Sequence, residues 1–309
     1  MQQIIILTPL YNDEESFNIF AAKIKSLSLP ENNHISFLIV NDGTATLQLK
    51  TTIPFTIIHL HRNIGHQKAI AIGLAYASNN LSFDKLIVMD CDGEDNPEDI
   101  IPLLELSVKS KIVVAKRASR KEGWAFKFFY YFYKAIFSVL TGKKISFGNF
   151  MILSKSAVAG IIYYSEIWNH LAGTIIKSKL EYSYIKAHRG LRYAGKSKMN
   201  FASLLLHGLG AVGVFIEIIA VRLLIFSLLM IALSIIAMIV VLFIKLFTDN
   251  AIPGWATTTL SSMLIVLLQG FLLSLFTIFL YLSIQSQRKF IPALHYNDYV
   301  RSVEKGENA

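Results

Sequence analysis

Apolar and polar positions follow two regimes along this chain. Up to about residue 120, short apolar runs alternate with helical stripes. The runs are Ile4–Leu7, "HISFLIVNDG" (34–43), "FTIIHLHRN" (55–63), "FDKLIVMD" (83–90) and "KIVVAKR" (111–117). Between them, residues 14–27, 65–77 and 97–108 space their apolar positions as helices do. Continuous apolar strands separated by helices predict a mostly parallel sheet covered on both faces. Polar residues gather where the runs end, which is where open α/β sheets take ligands.

From residue 121 the pattern loosens. "WAFKFFYYFYKAIFSVL" (124–140) has helical spacing and many aromatics, "KISFGNFMILSK" (144–155) reads as strands or an extended loop, and 156–180 hold one or two helices. "RGLRYAGKSKMN" (189–200) is a basic loop. Residues 201–222 are mostly apolar but carry His207, Glu217 and Arg222, so they read as helices lying at a membrane interface. Two runs without any charge follow, Leu223–Ile244 and Ala256–Gln287. Each exceeds the ~20 residues that a bilayer-crossing helix needs, and the short link between them makes a hairpin. Arg222 precedes the first run, and Arg288, Lys289 and Arg301 follow the second. Despite Lys245 on the far side, this bias predicts both ends and the first domain in the cytoplasm of a multi-pass inner-membrane protein. The expected division is therefore 1–200 catalytic domain, 201–222 interface helices, 223–287 two transmembrane helices and 288–309 cytoplasmic tail.

Composition sharpens this picture. The chain of 309 residues is 53% hydrophobic with net charge +9, which suits anionic partners such as lipid headgroups or phosphorylated substrates. Its single cysteine, Cys91, excludes an intrachain disulfide. The start "MQQIIILTPLYNDEES" has no basic n-region and only a short apolar run, so it does not read as a signal peptide. "GLGAVG" (208–213) matches the spacing of a dinucleotide fingerprint but follows no strand, so helix packing accounts for it better.

One stretch runs against the basic balance. "VMDCDGEDNPEDI" (88–100) places six carboxylates within ten positions at the end of an apolar strand. Asp-x-Asp there presents hard oxygen ligands suited to Mg2+ or Mn2+, with Asp90, Asp92 and Glu94 facing the metal. Asn96-Pro97-Glu98-Asp99 reads as a helix start. Cys91, between two acids, is not a nucleophile. Two other strand ends carry "TPLYNDEE" (8–15), which includes Asp13, and "VNDG" (40–43). A third opens a helix with Arg62, Asn63, Gly65, His66 and Lys68, a basic helix start that can seat phosphate.

These marks together resemble the family 2 glycosyltransferases of GT-A fold, in the membrane-anchored branch with dolichol-phosphate mannose synthases and bacterial polyprenyl-phosphate glycosyltransferases. The marks are Pro9-Leu10-Tyr11-Asn12, Asn41-Asp42-Gly43, Arg62-Asn63-x-Gly65-His66, Asp90-Cys91-Asp92, Lys116-Arg117, Gly148-Asn149-Phe150 and Arg192-Tyr193-Ala194-Gly195-Lys196-Ser197-Lys198. The resemblance implies that Pro9, Tyr11 and Asp42 contact base and ribose. It implies that Asp90 and Asp92 hold diphosphate and metal, that Glu94 stands where relatives often carry Gln, and that Asn149 lies by the sugar. It places Arg117 near the phosphates or the acceptor, and Arg192 and Lys198 in a loop that approaches the membrane. The chain departs from the family at Asn41-Asp42, where many relatives have two Asp. It departs again at Thr44-Ala45-Thr46, where they commonly continue Ser-x-Asp.

The nature of the acceptor separates the functional readings. A polyprenyl phosphate is already an anion and needs cations to position it, whereas a sugar hydroxyl needs a base. The basic stretch from Lys109 to Lys144 is mostly a solvated face, but Arg117 and Arg120 follow a strand end, and an arginine fork suits phosphate. With Arg192, Lys196 and Lys198 they would serve an anionic acceptor. Glu166 is the one candidate base, and an ordinary surface residue is the simpler account of it. The first expectation is thus a metal-dependent, inverting transferase moving one sugar from a nucleotide-diphosphate sugar, UDP- ahead of GDP-, onto a polyprenyl phosphate. The catalytic group would be Asp92, Arg117 and Asn149. The second keeps the fold but uses a hydroxyl of a glycolipid or surface polysaccharide. The third is a non-catalytic nucleotide-sugar-binding membrane protein. No nucleic acid is expected, and a homo-oligomer is left open.

Overall fold

The structure is a computed structural model that describes residues 2–28, 30, 33–117, 124–188, 190–195, 201–247, 254–287 and 289–306. The chain divides into two units. The first is built from residues 1–134, 143–214 and 289–309, and the second from 135–142 and 215–288.

The first unit is built on one eight-stranded sheet. Its strands are β1 (Gln2–Leu10), β2 (Asn33–Asn41), β3 (Phe55–Leu60), β4 (Lys85–Val88), β5 (Ile112–Arg117), β6 (Met151–Ser154), β7 (Ser183–Ala187) and β8 (Val300–Gly306), in the order β7-β5-β6-β4-β1-β2-β3-β8. β6 runs antiparallel to β4 and β5, and β8 antiparallel to β3; the other pairings are parallel. The helices are α1 (Glu14–Ser26), α2 (His66–Asn80), α3 (Ile100–Leu106), α4 (Trp124–Thr141), α5 (Lys155–Ile161), α6 (Leu171–Ser178) and α7 (Phe201–Gly213). The predicted start at Asn96-Pro97 is a 3-10 turn, Pro97–Asp99, that feeds α3.

Strand alternation sends side chains into two cores, one on each face. Ile5, Leu7, Leu38, Val40, Leu86 and Val88 pack with α2, α5 and α6. Ile4, Ile6, Phe37, Ile39 and Ile87 pack with α1 and α3, where Phe17 and Phe20 meet Phe37 at ring separations of 5.4 and 5.7 Å. α2 lies so close to the sheet that a Cβ at Gly73 would come within 2.3 Å of Leu7 Cδ1. This tight central layer fixes where β1, β2 and β4 end, and so where the polar loops meet.

Much of the segment expected as a cytoplasmic tail, 288–309, is folded into the sheet domain. Residues 292–306 form α10 (Pro292–His295), a 3-10 turn and β8, which covers the edge of β3. Phe290 stacks 4.0 Å from Trp168 and 5.3 Å from Tyr299, and Asn80 Nδ2 donates to the Tyr296 hydroxyl at 2.8 Å. An exposed strand such as β8 has little apolar alternation, so its periodicity is faint until the partner edge is known.

In the second unit α8 (Ile216–Phe247) and α9 (Trp255–Ser286) pack along their length. Ser227, Ser234 and Val241 recur every seven residues on the buried seam of α8, and Ser227 meets Ser274 of α9. Only 17% of the most apolar window of either helix is buried, which is not how a core helix of a soluble domain behaves. Both helices are long and apolar enough to cross a bilayer. The boundary expected at Leu223 falls earlier. Val214 and Phe215 interrupt the helices, and α8 already carries Glu217 and Arg222.

Candidate active site

The loops after β1, β2, β3 and β4 bring together residues far apart in sequence. The acidic loop is the centre. Asp95, itself buried, turns back and accepts the Asp90 backbone N–H at 3.3 Å. Asp92 Oδ1 accepts the Glu94 N–H at 2.9 Å, closing a local turn. Gly93 makes that turn with φ +94°, and a Cβ there would press on the Leu191 carbonyl and the Tyr193 ring. Gly190 lies against Gly93 just as closely, at 2.2 Å for a built Cβ to the Gly93 carbonyl oxygen. Two glycines thus let the 190–195 loop lie flat on the acidic loop, and Gly190 N–H to Glu94 O (2.9 Å) and Tyr193 N–H to Asp92 O (2.8 Å) hold it there.

That packing delivers Arg192. Its Nη1 donates to Asp92 Oδ2 at 2.9 Å, its Nη2 to Asp13 Oδ2, and its Nε to the Ala194 carbonyl at 2.9 Å. Sequence reasoning expected Arg192 at an acceptor phosphate and Asp13 at the donor; the structure pairs them across Asp92. Burial raises the Asp92 pKa, with Glu94 and Asp13 adding to it, while the Glu94 N–H and the Arg192 charge pull it down.

His66, the first residue of α2, joins two other expected residues. Its Nε2 lies 3.3 Å from Asp90 Oδ1 and 3.1 Å from Asn149 Nδ2. One ring nitrogen cannot donate to the carboxylate and accept from the amide at once, so the imidazole tautomer and the amide orientation are linked. Although 43% of the side chain is open, desolvation lowers the His66 pKa, against the pull of Asp95, Asp92 and Asp42. Asn149 Oδ1 is buried without a hydrogen-bond partner among the described residues.

Asp42, expected at the ribose, accepts the Ile64 N–H (2.7 Å) and the Gly65 N–H (3.0 Å) with separate oxygens. Burial nonetheless raises its pKa, those two bonds opposing the effect. Its present work is to hold the turn that presents Arg62 and His66. Asn41, on the same strand end, ties Thr44 and His59 together. Pro9 lies within β1, and Tyr11, after its end, is 43% exposed. Arg62 and Lys68 share a cavity of about 290 Å³ with Trp168 and Tyr299, and the Lys68 ammonium lies 5.4 Å from the Trp168 ring centre. Neither aromatic wall was foreseen, because Tyr299 reaches this place only through β8.

Arg117 ends β5, but its side chain, like Arg120, Lys196 and Lys198, lies outside the described residues. Glu94 does not complete a three-carboxylate cluster: among the described residues no three His, Cys, Asp or Glu side chains come together as a metal's ligands would. Mg2+ sites commonly use one or two carboxylates and complete the shell with phosphate and water. The pair Asp90 and Asp92 therefore fits such an ion, with Arg192 as its present counter-charge on one side. Cys91 is buried, and burial pushes its thiol up to about 12. It should resist maleimide in the folded protein and react on unfolding; rapid labelling of the folded protein would contradict this placement.

Mixed sheet, acidic strand end and the loop that covers it define a domain of GT-A type. The chain belongs to the glycosyl transferase family 2, whose model matches residues 5–161. It is 26% identical over 268 residues to the uncharacterised glycosyltransferase YkcC of Bacillus subtilis, covering 82% of this chain and 81% of that protein. It is also 23% identical over 135 residues to an undecaprenyl-phosphate 4-deoxy-4-formamido-L-arabinose transferase of Photorhabdus laumondii. That match covers 41% of this chain and 40% of the transferase. Among solved structures, glucosyl-3-phosphoglycerate synthase of Mycobacterium tuberculosis aligns with a TM-score of 0.49 and 9% identity over 70% of this chain and 80% of its own.

Proposed function

We propose that this glycosyltransferase moves one sugar from a nucleotide-diphosphate sugar to a polyprenyl phosphate at the cytoplasmic face of a membrane, with inversion at the anomeric carbon. One observation carries the reading. The domain that holds the acid pair is entered and left through two helices of bilayer length, and the chain returns from them to add β8 to the same sheet. Such a double tether suits an enzyme whose acceptor stays in the membrane. The undecaprenyl-phosphate transferases among the relatives support the acceptor class.

Asp90 and Asp92 would hold a divalent cation, which when bound supplies Lewis-acid stabilisation of the leaving diphosphate. Arg192 keeps Asp92 and Asp13 in register and adds positive charge where diphosphate charge develops. His66 and Asn149 stand beside Asp90, where the buried Asn149 oxygen can accept from a sugar hydroxyl. The acceptor phosphate is already anionic and needs no proton removed.

The hydroxyl-acceptor alternative needs a base, and its candidate, Glu166, stands in an ion pair. Glu166 Oε1 accepts from Lys177 Nζ at 2.8 Å. Burial raises its pKa, but that bond, backbone bonding and the charges of Lys177 and Lys289 outweigh burial and leave it lowered. Glu166→Gln should change kcat less than about threefold, because a half-buried ion pair that makes no contact specific to the transition state does not accelerate the chemical step. The deciding test offers labelled UDP- and GDP-sugars and undecaprenyl phosphate to the purified full chain with Mn2+, with and without EDTA. Label in the organic phase that EDTA abolishes supports the proposal. Bound donor with no lipid product, while a glycolipid hydroxyl is glycosylated, overturns it.

A further inference from the structure

Asn41 and His59 are register partners near the ends of β2 and β3, so their side chains leave the sheet on the same face. Asn41 is buried, and its amide is tied on every side. Its Oδ1 accepts the Thr44 N–H at 2.8 Å. Its Nδ2 donates to the Thr44 carbonyl at 2.8 Å and lies 3.0 Å from His59 Nδ1. The Thr44 N–H fixes which end of the amide is oxygen, so the second Nδ2 proton points at the imidazole. His59 Nδ1 is then the acceptor, and the ring carries its proton on Nε2, which faces Glu304 Oε2 of β8 at 3.4 Å.

This amide holds a segment that borders the acid pair. Thr44 belongs to the connection 42–54 between β2 and β3, which carries no helix or strand. Asn18 grips that connection further along, accepting the Lys50 N–H at 2.7 Å. Thr44 Oγ1 accepts the Asn12 N–H at 2.9 Å. Asn12 has φ +48°, an uncommon backbone for a residue other than glycine, so the turn after β1 needs a hold from outside. Asp13, next in the chain, meets Arg192, which also meets Asp92. The segment 11–13 is therefore clasped from two sides, by Arg192 at Asp13 and by Thr44 at Asn12.

We propose that His59 is a positioning residue for the sugar donor. By accepting from Asn41 it fixes the amide that holds Thr44, and Thr44 in turn sets Tyr11–Asp13 against the nucleotide. This rests on the reading of the site as one for a nucleotide-diphosphate sugar. The Glu304 side chain is 63% exposed, so water screens its pull and the contact with Asn41 carries the effect. A residue that acts in this way moves donor affinity and KM. It leaves kcat near the parent value, because it makes no contact that strengthens in the transition state.

The test measures binding of UDP and GDP to the purified full chain with Mn2+ by calorimetry, beside donor KM and kcat in the transfer assay. His59→Leu keeps apolar bulk but leaves one Asn41 amide proton buried without its acceptor. Kd for whichever nucleotide the parent binds, and donor KM, should rise about five- to tenfold. In the same variant kcat should stay within about twofold. His59→Asn places an amide oxygen near the position of Nδ1 and should keep Kd within about twofold of the parent. His59→Gln sets its polar end near Nε2 instead and should bind as weakly as His59→Leu. Thr44→Val removes the hydroxyl that holds Asn12, so adding His59→Leu to it should weaken binding by less than about twofold further. A lower Tm with Kd unchanged in His59→Leu or His59→Gln would assign His59 to the sheet alone and overturn the proposal. Losses that add in full to those of Thr44→Val, or a His59→Asn variant no better than His59→Gln, overturn it too. A parent chain that binds neither nucleotide sinks the nucleotide-sugar reading itself, and the inference with it.

Discussion

Asp92→Asn should lower kcat for sugar transfer by about 10²–10³-fold, the usual cost of losing one pre-positioned electrostatic group at a charge-developing centre. The variant keeps the shape of the side chain and its acceptor for the Glu94 N–H, so the acidic turn should persist. It removes the charge that faces Arg192 and that would share a divalent ion with Asp90. The loss should therefore appear in kcat and in the Mn2+ concentration needed for half-activity, with donor binding at saturating metal changed far less. Burial raises the Asp92 pKa in the metal-free protein, so protons compete with the cation for this carboxylate. The Mn2+ concentration needed for half-activity should rise as the pH falls, and that dependence should weaken in the variant. Kinetics within about threefold of the parent, with an unchanged metal requirement, would remove Asp92 from the site.

Deleting residues 300–306 should be the most damaging change to the fold. β8 supplies the whole outer ladder of β3, from Leu60 opposite Val300 to Phe55 opposite Gly306. Its loss leaves β3 as an open edge. It also loosens Tyr299, which packs 5.0 Å from the Trp168 ring centre. An aromatic pair, here half-buried, contributes up to roughly 0.5–1.5 kcal/mol beyond its area. With the ladder bonds lost as well, several kcal/mol are expected, or a fall in Tm of about 10 °C for a domain of this size. Thermal unfolding in detergent and size-exclusion profiles would show it. A truncated chain that melts at the parent temperature and stays monodisperse would mean that β8 adds nothing to the sheet. Because Tyr299 also walls the cavity of Arg62 and Lys68, the milder variant Tyr299→Ala separates the two roles. It should weaken donor binding if that cavity holds part of the donor, while costing the sheet little.

The course of the chain through the sheet was legible because strand and helix periods differ. Ile4–Leu7 and Leu86–Val88 are apolar without interruption, and only central parallel strands, covered on both faces, require that. The strand ends then ordered the polar motifs and marked Asp90, Asp92 and His66, while Asn149 followed only from the family resemblance. What could not be read was which of them touch. His66 and Asn149 are 83 positions apart and meet because β6 inserts antiparallel between β4 and β5. Arg192 was expected at an acceptor phosphate, and in the structure it meets Asp92 and Asp13. Its reach to Asp92 and Asp13 depends on Gly93 and Gly190 lying nearly in contact, and two isolated glycines 97 residues apart carry no such signal in one dimension.

The sequence by itself determined the alternation of elements, the two charge-free helices and the identity of the acid-rich strand end, because local periodicity and composition are properties of neighbours along the chain. Only the tertiary structure decided that the last residues are a sheet strand, that Asp42 binds its own backbone turn, and that Glu166 is tied to Lys177. Each of those depends on a partner distant in sequence, and a polar or charged side chain takes the role of the group it finally meets.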